Sequence, residues 1–383
     1  MKWLFWLSAG LLSYTYAGYL AWLWLRARLF PRPVRRGAHQ PKISIVMVVR
    51  DEERTLREKL RNLLNLDYPA DLYEVVVVSD GSVDQTEAIL RQCGDPRLRI
   101  VMNQLSRGKA SGLNDGIQIS GGELIVFTDV RQKIEPGALR VLAENFVDPE
   151  VGCVSGELML GDPESGEAEA GMSLYWRVEK MIRELEAESG SVVGATGALY
   201  AMRSELLVPI PEGTILDDIY IPMRAVKAGR RVVFEPRARA WDSPDLGAGR
   251  EFARKVRTLN GNYQLLQLEP WLLSSSNPIR FEFVSHKLLR LVAPFALVTV
   301  LATSAFLPGP AYRTALLLQI AFYGTSLLAL LPLKGGLLAR AANAASTFVL
   351  LNTAALVAFA NFVAGRKAVW VREGKGVDLP IVG

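Results

Sequence analysis

Acid–base chemistry in this chain must fall to carboxylates. There are only two histidines, His39 and His286, and two cysteines, Cys93 and Cys153. Both histidines lie far in sequence from the motifs below, which argues against a Ser-His-Asp or Cys-His arrangement. Two cysteines cannot build a disulfide scaffold or a zinc ribbon. Asp80 and Asp129 each close a strongly apolar run, Val78-Ser79-Asp80 and Phe127-Thr128-Asp129. An aspartate in that place is often a helix N-cap; two of them favour a site. Asp217 and Asp218 precede a helical pattern at 219–228, so a cap and a chemical role are compatible there. Lys109 follows Arg107-Gly108. Arg254 and Arg257 are three apart and share a helix face, where they either meet an anion or form a solvated basic surface.

The elements that must position these residues alternate between residue 42 and about residue 270. Residues 43–49 read as a buried strand, and 55–66 as an amphipathic helix with Leu56, Leu60, Leu63 and Leu64 on one face. Strands follow at 73–79, 98–102 and 123–128, with helices from about Asp84 and around 110–119. β-branched runs separated by helices predict an α/β domain with a parallel sheet covered on both faces. Ligands of such sheets sit beyond the carboxyl ends of the strands, where Asp80 and Asp129 fall. A dinucleotide fingerprint fails, because the first strand runs into Arg50-Asp51-Glu52-Glu53. A P-loop fails too: Asn103 and Ala110 stand where its outer glycine and hydroxyl residue belong.

Composition frames this domain. Of 383 residues half are hydrophobic, yet 22% are charged, which implies a soluble part joined to membrane segments. Residues 3–25 carry no charge, enough for a helix to cross the ~30 Å hydrocarbon core. Arg26, Arg28, Arg32, Arg35 and Arg36 follow and put that side in the cytoplasm. A signal peptide cleaved near Thr15-Tyr16-Ala17 is the alternative, opposed by the apolar run continuing past that point. Uncharged stretches at 291–307, 314–333 and 341–365 give three further segments, the last with Asn343, Asn352 and Asn361 packing on protein. Four crossings return the C-terminus outside, whereas Arg366, Lys367, Arg372 and Lys375 favour inside. The expected organisation is a membrane anchor at 1–28, a globular domain at 42–270 and a C-terminal membrane region at 278–366, linked by Ser274-Ser275-Ser276-Asn277-Pro278. The net charge of +5 is explained by juxtamembrane clusters touching anionic lipid. No basic–aromatic footprint for nucleic acid is present.

In this order and spacing the motifs resemble those of membrane-bound family 2 glycosyltransferases, the wider group of cellulose, chitin, hyaluronan and poly-N-acetylglucosamine synthases. The resemblance implies a glycosyltransferase A fold, a Rossmann-like nucleotide-diphospho-sugar transferase domain, flanked by transmembrane helices. Arg50-Asp51-Glu52-Glu53, with Glu52, is similar to the segment after the family's first strand. Asp80-Gly81-Ser82 resembles its nucleotide-binding turn, Asp80 accepting from base or ribose and Gly81 admitting the ligand. Arg107-Gly108-Lys109 resembles its Gly-Lys element, with Lys109 facing the diphosphate. Asp129 takes the first place of the metal motif Asp-x-Asp, but Arg131 stands in the second. Mg²⁺ or Mn²⁺ would rest on Asp129 and phosphate oxygens, or Arg131 would supply the positive charge itself.

Gly194-Ala195-Thr196-Gly197-Ala198 resembles the glycine-rich segment beside the acceptor pocket. Leu216-Asp217-Asp218 resembles the acidic pair whose second member is the general base, here Asp218, with Asp217 supporting it. Arg254-Lys255-Val256-Arg257-Thr258 matches the synthases' Gln-x-x-Arg-Trp only at Arg257, so the aromatic acceptor platform is lost at Thr258. The implied activity is inverting transfer from a nucleotide sugar, a UDP-sugar above all, to a lipid-linked or growing envelope polysaccharide acceptor. The setting is a multi-pass protein of the inner cell membrane, in contact with its lipids and with a cytoplasmic catalytic domain. Transfer of a single sugar to a lipid carrier and a degenerate nucleotide-binding regulator are the alternatives.

Overall fold

The computed structural model describes residues 1–161, 174–242, 248–331 and 336–366. The core is an eight-stranded sheet: β1 (Ile43–Val49), β2 (Tyr73–Asp80), β3 (Leu98–Asn103), β4 (Leu124–Phe127), β5 (Lys133–Ile134), β6 (Val151–Leu160), β7 (Tyr200–Arg203) and β8 (Arg231–Asp242). Their spatial order is β3-β2-β1-β4-β7-β6-β8-β5. The first four strands are parallel, in register from Ile43 against Tyr73 and Leu124. The sheet as a whole is mixed, which corrects the expected all-parallel arrangement. β7 runs antiparallel between β4 and β6, and β5 pairs antiparallel with β8. Both are short strands that carry no alternation long enough to betray direction.

Every residue of β1 is buried, as a central strand covered on both faces requires. Ile43, Ile45, Met47 and Val49 pack on one side with Leu56, Leu60 and Leu63 of the helix Leu56–Leu64 and with the helix Ala138–Glu144. Val46 and Val48 face the other side, with Ala110 and Leu113 of the helix Lys109–Ile119 and Ile219 to Met223 of the helix Asp217–Lys227. The period-2 strand pattern thus splits one strand between two cores.

Among the described residues three helices are long and apolar enough to cross a membrane: Arg280–Phe306, Pro310–Leu330 and Gly336–Val363. Each starts several residues before the uncharged stretch that announced it. Residues 2–29 form one further helix through a π turn at Tyr14–Gly18. It lies against Arg280–Phe306, where Tyr14 Oη and Ser285 Oγ are 2.8 Å apart and Arg26 pairs with Glu282. Asn352 accepts a hydrogen bond from Tyr16, so this asparagine does face protein. Lys367, Arg372 and Lys375, which bear on the side of the C-terminus, lie outside the described residues.

Candidate active site

Four connections deliver charged side chains to the carboxyl end of the sheet. The helix Lys109–Ile119 lies close on β1 because Gly112 and Gly116 face it; a Cβ at either would come within 2.7 Å of Val48 or Val46. Its first residue, Lys109, thereby reaches past the strand ends. Lys109 Nζ pairs with Asp129 Oδ1 at 2.9 Å and with Asp217 Oδ2 at 3.0 Å. Asp129 follows β4, and Asp217 and Asp218 open their helix, where the dipole favours negative charge. Asp218 joins the same cluster through Gly197: a Cβ there would sit 3.6 Å from Oδ2 of both Asp129 and Asp218. That is ordinary van der Waals distance, so Gly197 lies directly beside both carboxylates.

The electrostatics divide the carboxylates by role. Asp217 is 8% exposed and neutralised by Lys109, whereas Asp129 is 42% exposed. Burial, and then the charge of Asp217, push the Asp218 carboxyl up to about 6, against the pull of Lys109 and Lys287. That is the condition of a base that ionises just below neutral pH. Burial works against the charge of Lys109, but Asp129 and Asp217 outweigh it and hold its pKa above the ordinary lysine value. Tyr200 stacks on Phe127 with ring centroids 4.7 Å apart, and its buried hydroxyl has no hydrogen-bond partner among the described residues. Burial and the neighbouring Asp217 and Asp218 keep that phenol protonated.

One supporting lysine escaped the sequence reading. Lys59 is fully buried; its Nζ donates to Thr128 Oγ1 at 3.0 Å and to the Gln132 carbonyl at 2.6 Å, behind Asp129. Burial pushes it down to about 7, against the charge of Asp129. Lys59 falls in the buried stripe of Leu56, Leu60 and Leu63, where sequence alone does not tell a buried lysine from one at the edge.

The nucleotide-side motifs form a second, contiguous unit. Asp80 is wholly buried, and both its oxygens are engaged by the loop before Lys109. Ser106 Oγ, the Arg107 amide and the Gly108 amide donate to it at 2.7, 2.8 and 2.9 Å. Asp80 therefore shapes the 106–108 loop, a role the motif alone did not reveal. Gly81 has φ +66°, and a Cβ there would meet the Ser106 amide nitrogen at 2.5 Å. The first-strand segment is zipped to the same turn: the Val83 amide donates to Asp51 Oδ1 at 2.8 Å and the Glu52 amide to Thr86 Oγ1 at 2.8 Å. The Glu52 carboxylate accepts from Thr55 Oγ1 at 2.7 Å.

Arg131 turns to Asp242 at the end of β8, 2.9 Å away, and Gln132 donates to the same oxygen at 3.0 Å. Among the described residues no group of three or more His, Cys, Asp or Glu side chains is arranged to hold an ion. The donor set fits a hard divalent cation through the exposed Asp129 carboxylate with phosphate oxygens completing its shell, and does not fit a cation held by protein alone. Arg254 is exposed, and neither it nor Arg257 forms an ion pair with the Lys109 cluster among the described residues. Lys255, between them, lies over the rings of Tyr175 and Trp176 at 5.5 and 5.6 Å.

Residues 44–208 match the profile of glycosyl transferase family 2. The poly-beta-1,6-N-acetyl-D-glucosamine synthase of Staphylococcus epidermidis is 23% identical over 266 residues, 67% of this chain and 64% of that protein. The synthase of the same name from Staphylococcus aureus is 24% identical over 229 residues, 58% of this chain and 55% of that protein. The chain thus spans less than two thirds of the length of these relatives. Among solved structures, the mannosyltransferase PcManGT from Pyrobaculum calidifontis, in complex with GDP-Man and Mn2+, superposes with a TM-score of 0.73 at 22% identity, covering 95% of this chain and 99% of that one.

Proposed function

This chain carries a glycosyl transferase family 2 domain on a glycosyltransferase A fold, and from that premise we propose that it is an inverting membrane glycosyltransferase with a cytoplasmic catalytic domain. The donor is a nucleotide sugar and the acceptor a lipid-linked or growing envelope saccharide. The observation that carries this reading is the convergence of Lys109, Asp129, Asp217 and Asp218 on the space beside Gly197.

The acceptor hydroxyl oxygen attacks the anomeric carbon of the donor, and its proton passes to Asp218. The bond from that carbon to the diphosphate oxygen breaks, and the nucleoside diphosphate leaves with the electron pair. Displacement from the opposite face inverts the centre. Asp217 anchors Lys109 and supplies the negative charge that helps raise Asp218. Lys109 offsets charge developing on the leaving diphosphate. Asp80 and Gly81 hold the 106–108 loop, and Glu52 braces the turn beside it. Arg254 and Arg257, three apart on one helix, would be further cations for the diphosphate. Mg²⁺ or Mn²⁺, held by Asp129, would supply further neutralisation of that charge.

Two refinements have separate support. Thr258 in place of the synthases' tryptophan favours transfer of a single sugar over chain elongation. The likeness to a protein solved with GDP-Man sets GDP-sugars beside UDP-sugars as donors. Nucleotide release from a panel of UDP- and GDP-sugars by the purified chain, with and without a lipid extract, tests the proposal. One donor should be turned over faster with the extract; no release from any donor would leave a nucleotide-binding regulator.

A further inference from the structure

One carboxylate ties two apolar helices to the stretch of chain on which Asp218 rests. Glu186, in the last turn of the helix Leu174–Ser189, is buried together with Tyr19, His286 and Val193. Its Oε1 accepts from Tyr19 Oη at 2.7 Å and lies 2.9 Å from His286 Nδ1. Its Oε2 accepts from the Val193 amide at 3.3 Å. Tyr19 belongs to the N-terminal helix and His286 to Arg280–Phe306. His286 is held in turn by its other ring nitrogen, 2.9 Å from Glu179 Oε1, and Arg290 donates to Glu179 Oε2 at 2.7 Å.

Residues 193–197 lead from Glu186 to the base. The Val192 amide donates to the Val232 carbonyl at 2.8 Å and the Thr196 amide to Ser155 Oγ at 3.0 Å, so the sheet holds both ends of this stretch. Between them Gly194 has φ +88°, and a Cβ there would meet Ile219 Cγ1 at 2.9 Å. The stretch therefore lies directly on the first turn of the helix Asp217–Lys227. The Ala195 amide donates to the Asp218 carbonyl at 2.7 Å. Contacts thus run from the two apolar helices through Glu186, Val193 and Ala195 to the main chain of Asp218. A buried carboxylate is stable in place only while its donors satisfy it. Deprived of those from Tyr19 and His286, Glu186 would turn away and release Val193. A displacement of about 1 Å at a reacting group can cost about a hundredfold in rate.

We propose that Glu186 is a positioning residue for Asp218, and that through it the seating of the N-terminal helix and of Arg280–Phe306 on the domain sets the place of the base. This rests on the reading of Asp218 as the base. It extends that reading by making the two apolar helices part of what assembles the site.

The test uses the full chain in phosphatidylcholine nanodiscs and begins with hydrogen exchange of the backbone amides, which needs no substrate. Glu186→Gln should speed exchange at Val193 and Ala195 by about tenfold, the low end of the worth of a hydrogen bond to a charged group. Tyr19→Phe, which deletes one hydroxyl and keeps the ring, should speed it by about three- to tenfold, a coupling of ordinary size. Tyr14→Phe removes a contact between the same two helices away from Glu186 and should leave these amides unchanged. Exchange in β2 should be unchanged throughout, which excludes a folding defect. Unchanged exchange at Val193 and Ala195 in Tyr19→Phe overturns the proposal. Equal acceleration in Tyr14→Phe, or in β2, also overturns it and leaves only a general loosening. The second measurement is nucleotide release from whichever donor the panel identifies. Glu186→Gln and Tyr19→Phe should lower kcat by about tenfold and leave the donor KM unchanged, a split that loss of folded protein does not produce. Faster exchange with an unchanged kcat removes the positioning role. Release from no donor at all strikes the enzyme reading, and with it the base, while the tie between the helices and residues 193–197 is still decided by exchange.

Discussion

At the scale of single residues, Asp218 differs from its neighbours in how its charge is tolerated. Asp217 has Lys109 at 3.0 Å, whereas Asp218 is raised to about 6 by burial and by Asp217. An acid whose folded pKa lies above its unfolded value destabilises the fold as pH rises from the unfolded pKa, 3.8, through the folded one. Asp218→Asn should therefore raise Tm at pH 7 while lowering turnover by about 10²–10⁴-fold. In the wild type, kcat/KM should rise through a midpoint near pH 6 as Asp218 ionises. A variant at 218 that is both less stable and fully active would count against this assignment; Asp217→Asn should instead lower Tm, because it leaves Lys109 short of a partner. The residues at these places were legible from chain position, since aspartates ending apolar strands and a paired acid before a helix are visible without coordinates. Lys59 was not, because a lysine in a mostly apolar stripe reads as an edge residue until Thr128 and Gln132 are seen to receive it.

At the scale of elements, the loops matter more than the strands. Asp80→Ala would remove the charged acceptor of the Ser106 hydroxyl and of the amides of Arg107 and Gly108 and so release the 106–108 loop. Such a variant should lose thermal stability and nucleotide affinity together, measured by calorimetry. Loss of affinity without loss of stability would instead give Asp80 a direct contact with the nucleotide. Arg131 ties the loop after β4 to the end of β8. Arg131→Asp would place two carboxylates side by side at Asp242, so it should destabilise the β8 end rather than simply restore a metal pair. EDTA should slow the wild type, with Mn²⁺ restoring it; full rate in EDTA would mean that protein cations do this work alone. β1 was readable at its true bounds because six of its seven residues are apolar, Ser44 being the exception. β5 and β7, two and four residues long, owe their direction to pairing partners distant in sequence, which no local pattern records.

At the scale of the whole molecule, the N-terminal helix and the helix Arg280–Phe306 are joined below the sheet. Arg26 pairs with Glu282, and Tyr19 donates to Glu186 at 2.7 Å, so both helices grip the helix Leu174–Ser189. Arg26 and Arg28 lie in the last turn of the first helix, and Arg32, Arg35 and Arg36 lie between it and β1, where they bind the domain: Arg36 reaches Glu235 at 3.1 Å. A reporter fused after Arg36 should behave as cytoplasmic. A periplasmic result would overturn the orientation and, with it, access to a nucleotide-sugar pool. Sequence alone assigned these basic residues to the membrane surface and did not show that they also bind the domain.

The order of strands has a consequence for how the protein is made. β4 lies beside β1 but gains its second neighbour only from β7, after the whole of β6 and the helix Leu174–Ser189 have been synthesised. Until then the ribosome holds a half-built sheet with an open, apolar edge, the kind that recruits foreign strands. Lys109 and Asp129 emerge early and must wait for Asp217 and Asp218. A nascent chain stalled before residue 200 would therefore have neither a closed edge nor an assembled acidic cluster.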